Sequence, residues 1–268
     1  MRLSNDQRDA VIALAREAAA AILAVYDSAS FESDAAIEHK DDRSPLTAAD
    51  LASHRCIVDG LRVLTPAIPV LSEESRGLEI AARREWNTFW LVDPLDGTRE
   101  FIKRNGEFTV NIALVEDGVA RFGVIQQPVT GALWHGAPGH GAYRREDDAD
   151  IAIHARIPAR HPLRIAASRS HRDARTQALL NGLPGSEVVG CGSSLKFCRI
   201  AEGGIDLYPR FGPTSEWDTA AGQAILEAAG GAVLDPRGRP FRYNQRETLL
   251  NGDFLAFGDV ALRDVLPA

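Results

Sequence analysis

The first apolar pattern along the chain has helical spacing. Ser4 and Gln7 match a capping box, and apolar residues recur behind this pair every three or four positions. The spacing predicts an amphipathic helix whose inward face holds Val11, Leu14, Ala18, Ile22 and Val25. The chain therefore opens with a helix that packs on a core.

A second helical pattern begins near Thr47 and ends before Thr65, because the following Pro66 disfavours helical backbone in the residue before it. Its predicted inward face contains Leu51, Ile57, Val58, Leu61 and Val63. Residues 35–40, between the two helices, fit a strand.

Short apolar runs bounded by Gly, Pro and Asp-Gly turns follow the second helix and predict strands. They lie at 68–71, 89–92, 108–115, 119–125 and 132–135. The turn at 116–118 predicts a hairpin. From residue 163 strands alternate with helices, with predicted strands at 163–167, 188–189 and 205–208 and helices at 173–183, 194–202 and 219–229. This alternation indicates an α/β architecture.

The segment 146–162 is rich in Asp, Ala, Arg and Pro and is the predicted boundary between two lobes. Residues 1–155 would form an N-terminal α+β lobe, and residues 156–268 a C-terminal α/β lobe.

Charge and composition narrow the class of partner. The 268-residue chain has a net charge of -7, which argues against a nucleic-acid polymer. A small anionic substrate would then need a bound cation to offset the acidic pocket. Three cysteines without a CxxC pair indicate reduced thiols and a reducing compartment. We expect neither a secretory leader nor a membrane span, since no long apolar stretch occurs.

Acidic residues stand where predicted strands or helices begin and end. They are Glu73 and Glu74, the Asp93-Pro-Leu-Asp-Gly-Thr98 segment, and Asp218. Such carboxylates can converge on one cleft, and Mg²⁺ prefers oxygen ligands of this kind. Asp-Pro and Asp-Gly also form ordinary turns, and a single such pair fits a turn equally well. The combination of all three clusters favours a metal site.

The strings at 71–75, 90–98 and 217–222 resemble the three signature motifs of the lithium-sensitive, magnesium-dependent phosphatases related to inositol monophosphatase. Further strings at 42–50, 100–111, 168–171, 192–198 and 208–214 resemble the 3'(2'),5'-bisphosphate nucleotidases of that superfamily. The resemblance covers nearly the whole chain. It implies a layered αβαβα fold with the metal cleft between two lobes.

The resemblance also implies a ligand set for two or three Mg²⁺ ions: Glu73, Asp93, the Leu95 carbonyl, Asp96 and Asp218. Most of these ligands fall in the first lobe and the last in the second. In such a site one ion activates a water and another stabilises the leaving oxygen. Substrate contacts are expected from Glu73, the segment Leu95, Asp96, Gly97 and Thr98, and from Asp218.

The catalytic residues implied by the resemblance are Asp42, Asp50, Thr98 and Glu73. Either Asp42 or Asp50 would orient the attacking water together with Thr98, and the sequence does not choose between them. Asp50 has an alternative role in support of the first turn of the second helix.

Nucleotide specificity is expected in the second lobe, where His171, Lys196 and Arg210 would meet the phosphate that is not cleaved and Ser193 would donate a hydrogen bond. The alternative is that Lys196 and Arg210 are solvated surface charges.

The implied reaction is hydrolysis of the 3'-phosphate of adenosine 3',5'-bisphosphate to AMP and phosphate, in sulfate assimilation. Adenosine 3'-phosphate 5'-phosphosulfate is a further expected substrate. The alternatives are inositol monophosphatase activity and a non-catalytic nucleotide sensor. A cytoplasmic location is expected, and homodimer formation and peripheral attachment to the inner membrane are left open.

Overall fold

The structure is a computed structural model and describes residues 3–28, 37–39, 45–75, 77–167 and 173–266. In chain order its elements are α1 Asn5–Tyr26, β1 Ile37–His39, β2 Pro45–Thr47, α2 Ala48–Leu64, β3 Val70–Ser72, α3 Leu78–Ala82, β4 Thr88–Asp96, α4 Thr98–Ile102, β5 Thr109–Glu116, β6 Val119–Gln126, β7 Leu133–Ala137, β8 Gly141–Glu146, β9 Ala149–Ile153, β10 Arg164–Ala167, α5 Ala174–Asn181, β11 Glu187–Gly190, α6 Leu195–Ala201, β12 Leu207–Arg210, α7 Ala220–Ala228, β13 Ala232–Leu234 and β14 Phe254–Phe257. Short 3₁₀ turns span Arg83–Glu85, Glu216–Asp218 and Val260–Val265.

Two sheets organise these elements. The first has seven strands in the order β3-β4-β5-β6-β7-β8-β9, with only the β3–β4 pair parallel. The second has five strands in the order β11-β10-β12-β14-β13, and β10 runs parallel to both of its neighbours. A separate antiparallel pair is formed by β1 and β2.

The helices and sheets stack in five layers. One face of the seven-stranded sheet packs against α1 and α2, and the other packs against α7. Together, α6 and α7 fill the space between the two sheets in one continuous apolar core. The outer face of the five-stranded sheet is covered by Leu179 and Leu180 of α5 and by Leu262. This α/β/α/β/α arrangement confirms the predicted fold class.

Helix starts agree with the sequence prediction. Ser4 caps α1 in a reciprocal capping box with Gln7, and Thr47 caps α2 in the same way with Asp50. An N-cap of this kind typically contributes about 1 kcal/mol to helix stability. Of the residues predicted to face inward, Leu14, Val25 and Leu51 are only half-buried.

Val63 was wrongly predicted to face inward, because its exposed fraction is 84%. It stands two positions after the buried Leu61, which places the two side chains about 200° apart around the helix axis.

Strands β8, β9, β13 and β14 were not predicted. The predicted boundary segment 146–162 begins in the β8–β9 hairpin, and the first sheet ends at Ile153 while the second begins at Arg164. Division into two lobes at 155/156 stays a prediction, since the two sheets share one core. Within the residues described, no helix is both long and apolar enough to cross a membrane.

Candidate active site

Three carboxylates from two distant parts of the chain meet at one end of the seven-stranded sheet. Asp93 and Asp96 lie at the end of β4, where the register with β5 shifts between them. Asp218 ends the 3₁₀ turn directly before α7. One oxygen from each of the three lies within 4.8 Å of the others. The sequence prediction that these three residues converge therefore agrees with the geometry.

Backbone N–H groups fix one oxygen of each carboxylate. The Leu95 N–H donates to Asp93 Oδ1 at 3.0 Å, and the Ser215 N–H donates to Asp218 Oδ2 at 2.9 Å. The third bond comes from a distant part of the chain, because the N–H of Ser194, the residue directly before α6, donates to Asp96 Oδ2 at 2.6 Å. Bonds of this kind set the orientation of a carboxylate and leave its other oxygen for a ligand.

Burial and like charge act together on these groups. Burial is the largest cause that raises the pKa of Asp93, and the charges of Glu73, Asp96 and Asp218 raise it further. Burial also raises the pKa of Asp218, with the charge of Asp96 as the next cause. Carboxylates crowded in this way become stable as anions when a cation lies among them. The donor set therefore suits a hard divalent cation.

Glu73 and the Leu95 carbonyl border the same cluster. The Glu73 backbone N–H bonds to the Val92 carbonyl at 3.0 Å, which ties the residue to β4 beyond the end of β3. Its side chain interacts with Asp93 through both its charge and a hydrogen bond. The Leu95 carbonyl accepts a hydrogen bond from Thr98 Oγ1 at 3.4 Å. All predicted metal ligands thus lie at this end of β4.

The backbone conformation and close surroundings of Gly97 disfavour any side chain at this position. Its φ of +93° is in the left-handed region, and an added Cβ would stand 3.3 Å from Ser193 Cβ. The turn can therefore bring β4 close to the segment that precedes α6.

Asp50 caps α2, which is one of the two roles that the sequence left open, and its other oxygen lies beside Thr98. Its Oδ2 accepts hydrogen bonds from the Thr47 N–H at 2.8 Å and the Thr47 hydroxyl at 2.6 Å, which caps α2. Its Oδ1 lies 3.3 Å from Thr98 Oγ1, on the side of the acidic cluster. Burial raises its pKa to about 6, although the Thr47 bonds lower it. Asp42, the other candidate, lies outside the described residues.

A cleft of about 1050 Å³ extends from Asp96, Thr98 and Asp218 toward the second sheet. Lys196 stands in its wall and is only 6% exposed. Its Nζ donates to the Ser193 carbonyl at 2.7 Å and lies 5.2 Å from the Tyr208 ring centre. The alternative that Lys196 is a solvated surface charge is therefore wrong.

Arg210 lines the same cleft and donates to the carbonyls of Gly212 at 3.2 Å and Pro213 at 2.6 Å. Burial raises the pKa of Asp96, whereas the charges of Lys196 and Arg210 lower it, Lys196 more strongly. The basic side chains of Lys196 and Arg210 thus line the same cleft as the carboxylates of Asp96 and Asp218.

The Ser193 hydroxyl, a predicted donor to substrate, donates instead to the Glu107 carbonyl at 3.0 Å. His171 lies outside the described residues.

The sequence prediction missed three buried polar residues behind Asp96, namely Thr109, Asn111 and Ser194. Thr109 and Asn111 interrupt an apolar strand at alternate positions, which was an available signal for one polar patch on a buried face. Their partner Ser194 could not be identified in this way, because it is more than eighty positions away.

The fold and site together define a class of protein: a two-sheet α/β enzyme with a partly buried carboxylate cluster at one end of a cleft that Lys196 and Arg210 also line. The family model of the inositol monophosphatase family matches residues 6–258. The chain belongs to this family, whose members are metal-dependent phosphatases that act on small phosphorylated molecules.

Relatives and solved structures are similar over almost the whole chain. The chain is 51% identical over 247 residues to the 3'(2'),5'-bisphosphate nucleotidase CysQ of Escherichia coli O157:H7. This match covers 92% of this chain and 97% of the relative. CysQ of Buchnera aphidicola is 42% identical and covers 92% of both. The crystal structure of CysQ from Bacteroides thetaiotaomicron has a TM-score of 0.79 at 42% identity and covers 92% of this chain and 95% of that one. An inositol monophosphatase from Anabaena has a TM-score of 0.75 at 26% identity and covers 98% and 95%.

Proposed function

We propose that the chain is a 3'(2'),5'-bisphosphate nucleotidase that hydrolyses the 3'-phosphate of adenosine 3',5'-bisphosphate to give AMP and phosphate. The observation that carries the proposal is one cleft with the Asp93, Asp96 and Asp218 cluster at one end and the buried Lys196 with Arg210 in its wall. The 51% identity to a bisphosphate nucleotidase supports the same substrate class.

The cation assigned to the cluster is Mg²⁺, in two or three copies. Glu73, Asp93, the Leu95 carbonyl, Asp96 and Asp218 would hold it, since together they offer the hard oxygen donors that Mg²⁺ prefers. When bound, the ions supply positive charge to the reacting phosphate and lower the pKa of a bound water.

Asp50 and Thr98 are the proposed groups that orient and deprotonate the attacking water. The Thr98 hydroxyl stands between Asp50 Oδ1 at 3.3 Å and the Leu95 carbonyl at 3.4 Å. A hydroxyl in this position can hold a water while the carboxylate takes up the proton. Asp42 stays the alternative base.

Lys196 and Arg210 are proposed to bind the phosphate that is not cleaved. Each already donates to backbone carbonyls, so its geometry is fixed before the substrate arrives. Charge-assisted hydrogen bonds to phosphate are among the stronger polar contacts in proteins. His171 is proposed to contribute to the same subsite. Adenosine 3'-phosphate 5'-phosphosulfate has the same 3'-phosphate and is proposed as a second substrate.

Product analysis tests the proposal. The protein is incubated with adenosine 3',5'-bisphosphate and Mg²⁺, and the nucleotide product is identified by ³¹P NMR. We expect 5'-AMP and inorganic phosphate. Formation of 3'-AMP would show the opposite regiochemistry and contradict the assignment. Binding without turnover would favour the sensor, and turnover of inositol 1-phosphate alone would favour an inositol monophosphatase.

A further inference from the structure

We propose that Thr109, Asn111 and Ser194 are positioning residues that fix the orientation of the Asp96 carboxylate for the cation. We name them the polar junction. The proposal rests on the proposed function, because it assumes that Asp96 is a metal ligand.

The polar junction joins two layers of the fold. Thr109 and Asn111 are two positions apart on β5, so their side chains share one face of the seven-stranded sheet. Ser194 directly precedes α6 in the layer between the sheets. The exposed fractions of the three residues are 0%, 1% and 2%, in chain order. These polar side chains are shielded from solvent and depend on one another for hydrogen bonds.

The distances define a closed set of bonds. The Ser194 hydroxyl lies 2.7 Å from Thr109 Oγ1 and donates to Asn111 Oδ1 at 2.7 Å. The Thr109 hydroxyl lies 3.1 Å from the same Asn111 Oδ1. Because the hydroxyls of Thr109 and Ser194 both contact Asn111 Oδ1, the amide Nδ2 of Asn111 must point away from them.

Asp96 Oδ2 lies in that other direction. It accepts a hydrogen bond from Asn111 Nδ2 at 3.4 Å and from the Ser194 N–H at 2.6 Å. Both donors belong to the polar junction. They occupy one oxygen of Asp96 and leave Oδ1 for the cation. A donor that holds the far oxygen of a metal-binding carboxylate tunes affinity through orientation, without touching the ion.

If the polar junction only stabilised the fold, substitutions in it would have a different outcome. Replacing a buried polar group by an apolar one of similar shape changes folding stability, but it leaves metal affinity alone unless the group orients a ligand. Metal affinity, measured directly, therefore separates the two roles.

The test uses Asn111→Leu, Thr109→Val and Ser194→Ala in the full chain, with Mn²⁺ as the probe. Free Mn²⁺ is measured by electron paramagnetic resonance, without substrate. We expect Asn111→Leu to weaken Mn²⁺ binding about 10- to 100-fold and the hydroxyl variants by less. The Mg²⁺ concentration for half-maximal activity should rise in parallel, while KM for the nucleotide at saturating metal stays within about twofold. Thr109→Ser, which keeps the hydroxyl, should restore wild-type affinity.

Thr65→Val is the matched control. Thr65 is 5% exposed, and its hydroxyl joins the Leu61 carbonyl to the Trp90 indole away from the acidic cluster. This variant should lose stability and keep its Mn²⁺ affinity.

Wild-type Mn²⁺ affinity in a folded Asn111→Leu protein would overturn the proposal, as would an equal loss in Thr65→Val. If Asn111→Leu does not fold, Thr109→Val and Ser194→Ala decide by the same measurement. A wild-type protein that neither binds Mn²⁺ nor releases phosphate would refute the proposed function itself, which is a distinct result.

Discussion

The two walls of the cleft are organised in opposite ways. At the acidic wall, Asp93, Asp96 and Asp218 each accept a backbone N–H and crowd together, so the like charges raise the free energy of the cation-free protein. At the basic wall, Lys196 and Arg210 each donate hydrogen bonds to backbone carbonyls.

This difference separates the chemical roles of the walls. In the proposed function, a cation stabilises the crowded acidic wall, and this wall takes part in the reaction. A basic wall that is already hydrogen-bonded can select an anion without taking part in bond breaking. Substitutions at the acidic wall should then affect kcat, and those at the basic wall should mainly affect KM.

The largest effect is expected from Asp93→Asn. The substitution removes a charge from the centre of the cluster, and kcat should fall about a thousandfold or more because the cation that polarises the phosphate is lost. Steady-state phosphate release at saturating Mg²⁺ measures this. A folded variant with near-wild-type kcat would show that Asp93 is not a metal ligand.

Asp50→Asn should lower kcat about 100-fold, the usual size of a general-base effect. The sign of the pH dependence follows from burial, which raises the pKa of Asp50 to about 6. A base must be ionised, so wild-type kcat should decline as the pH falls below about 6. The variant should lack this decline. An unchanged profile would favour Asp42.

Lys196→Met should lower kcat/KM for the bisphosphate by about 10- to 100-fold, the range of one lost charged hydrogen bond. The kcat/KM for adenosine 3'-monophosphate, which lacks the second phosphate, should fall much less. Arg199→Met on the same helix is the control, because Arg199 is exposed and pairs with Glu202. Equal losses for both substrates would mean that Lys196 acts on the reacting phosphate instead.

The smallest effect concerns stability. In the presence of EDTA, Asp93→Asn should raise the melting temperature by a few degrees, about 2–6 °C, because it relieves repulsion among crowded carboxylates. Added Mg²⁺ should stabilise the wild type more than the variant, since only the wild type binds it well. Differential scanning calorimetry measures both. A lower melting temperature for the metal-free variant would contradict the repulsion argument.

Local signals predicted the parts of the fold that local physics determines. The caps at Ser4 and Thr47 and the hairpin at 116–118 all appear where expected, because side chain and backbone interact within a few positions. The last two strands of the first sheet, β8 and β9, were missed. Both mix polar and apolar residues, since most of their positions are not buried.

The candidate site shows the same limit. The Asp93–Thr98 segment is contiguous, so its residues could be recognised together. The bond from Ser194 to Asp96 joins positions on two separate layers, and only the folded chain brings them together. Lys196 is likewise buried beside Tyr208, a residue of another element, and this contact has no local pattern in the sequence.

The most direct test of the account is phosphate release from adenosine 3',5'-bisphosphate, adenosine 3'-monophosphate and inositol 1-phosphate, in EDTA and after Mg²⁺ is restored. The account predicts turnover only with Mg²⁺, and a kcat/KM at least about tenfold higher for the bisphosphate than for either monophosphate. Metal-independent turnover would contradict the role of the acidic wall. Equal turnover of all three substrates with Mg²⁺ would contradict the role of the basic wall.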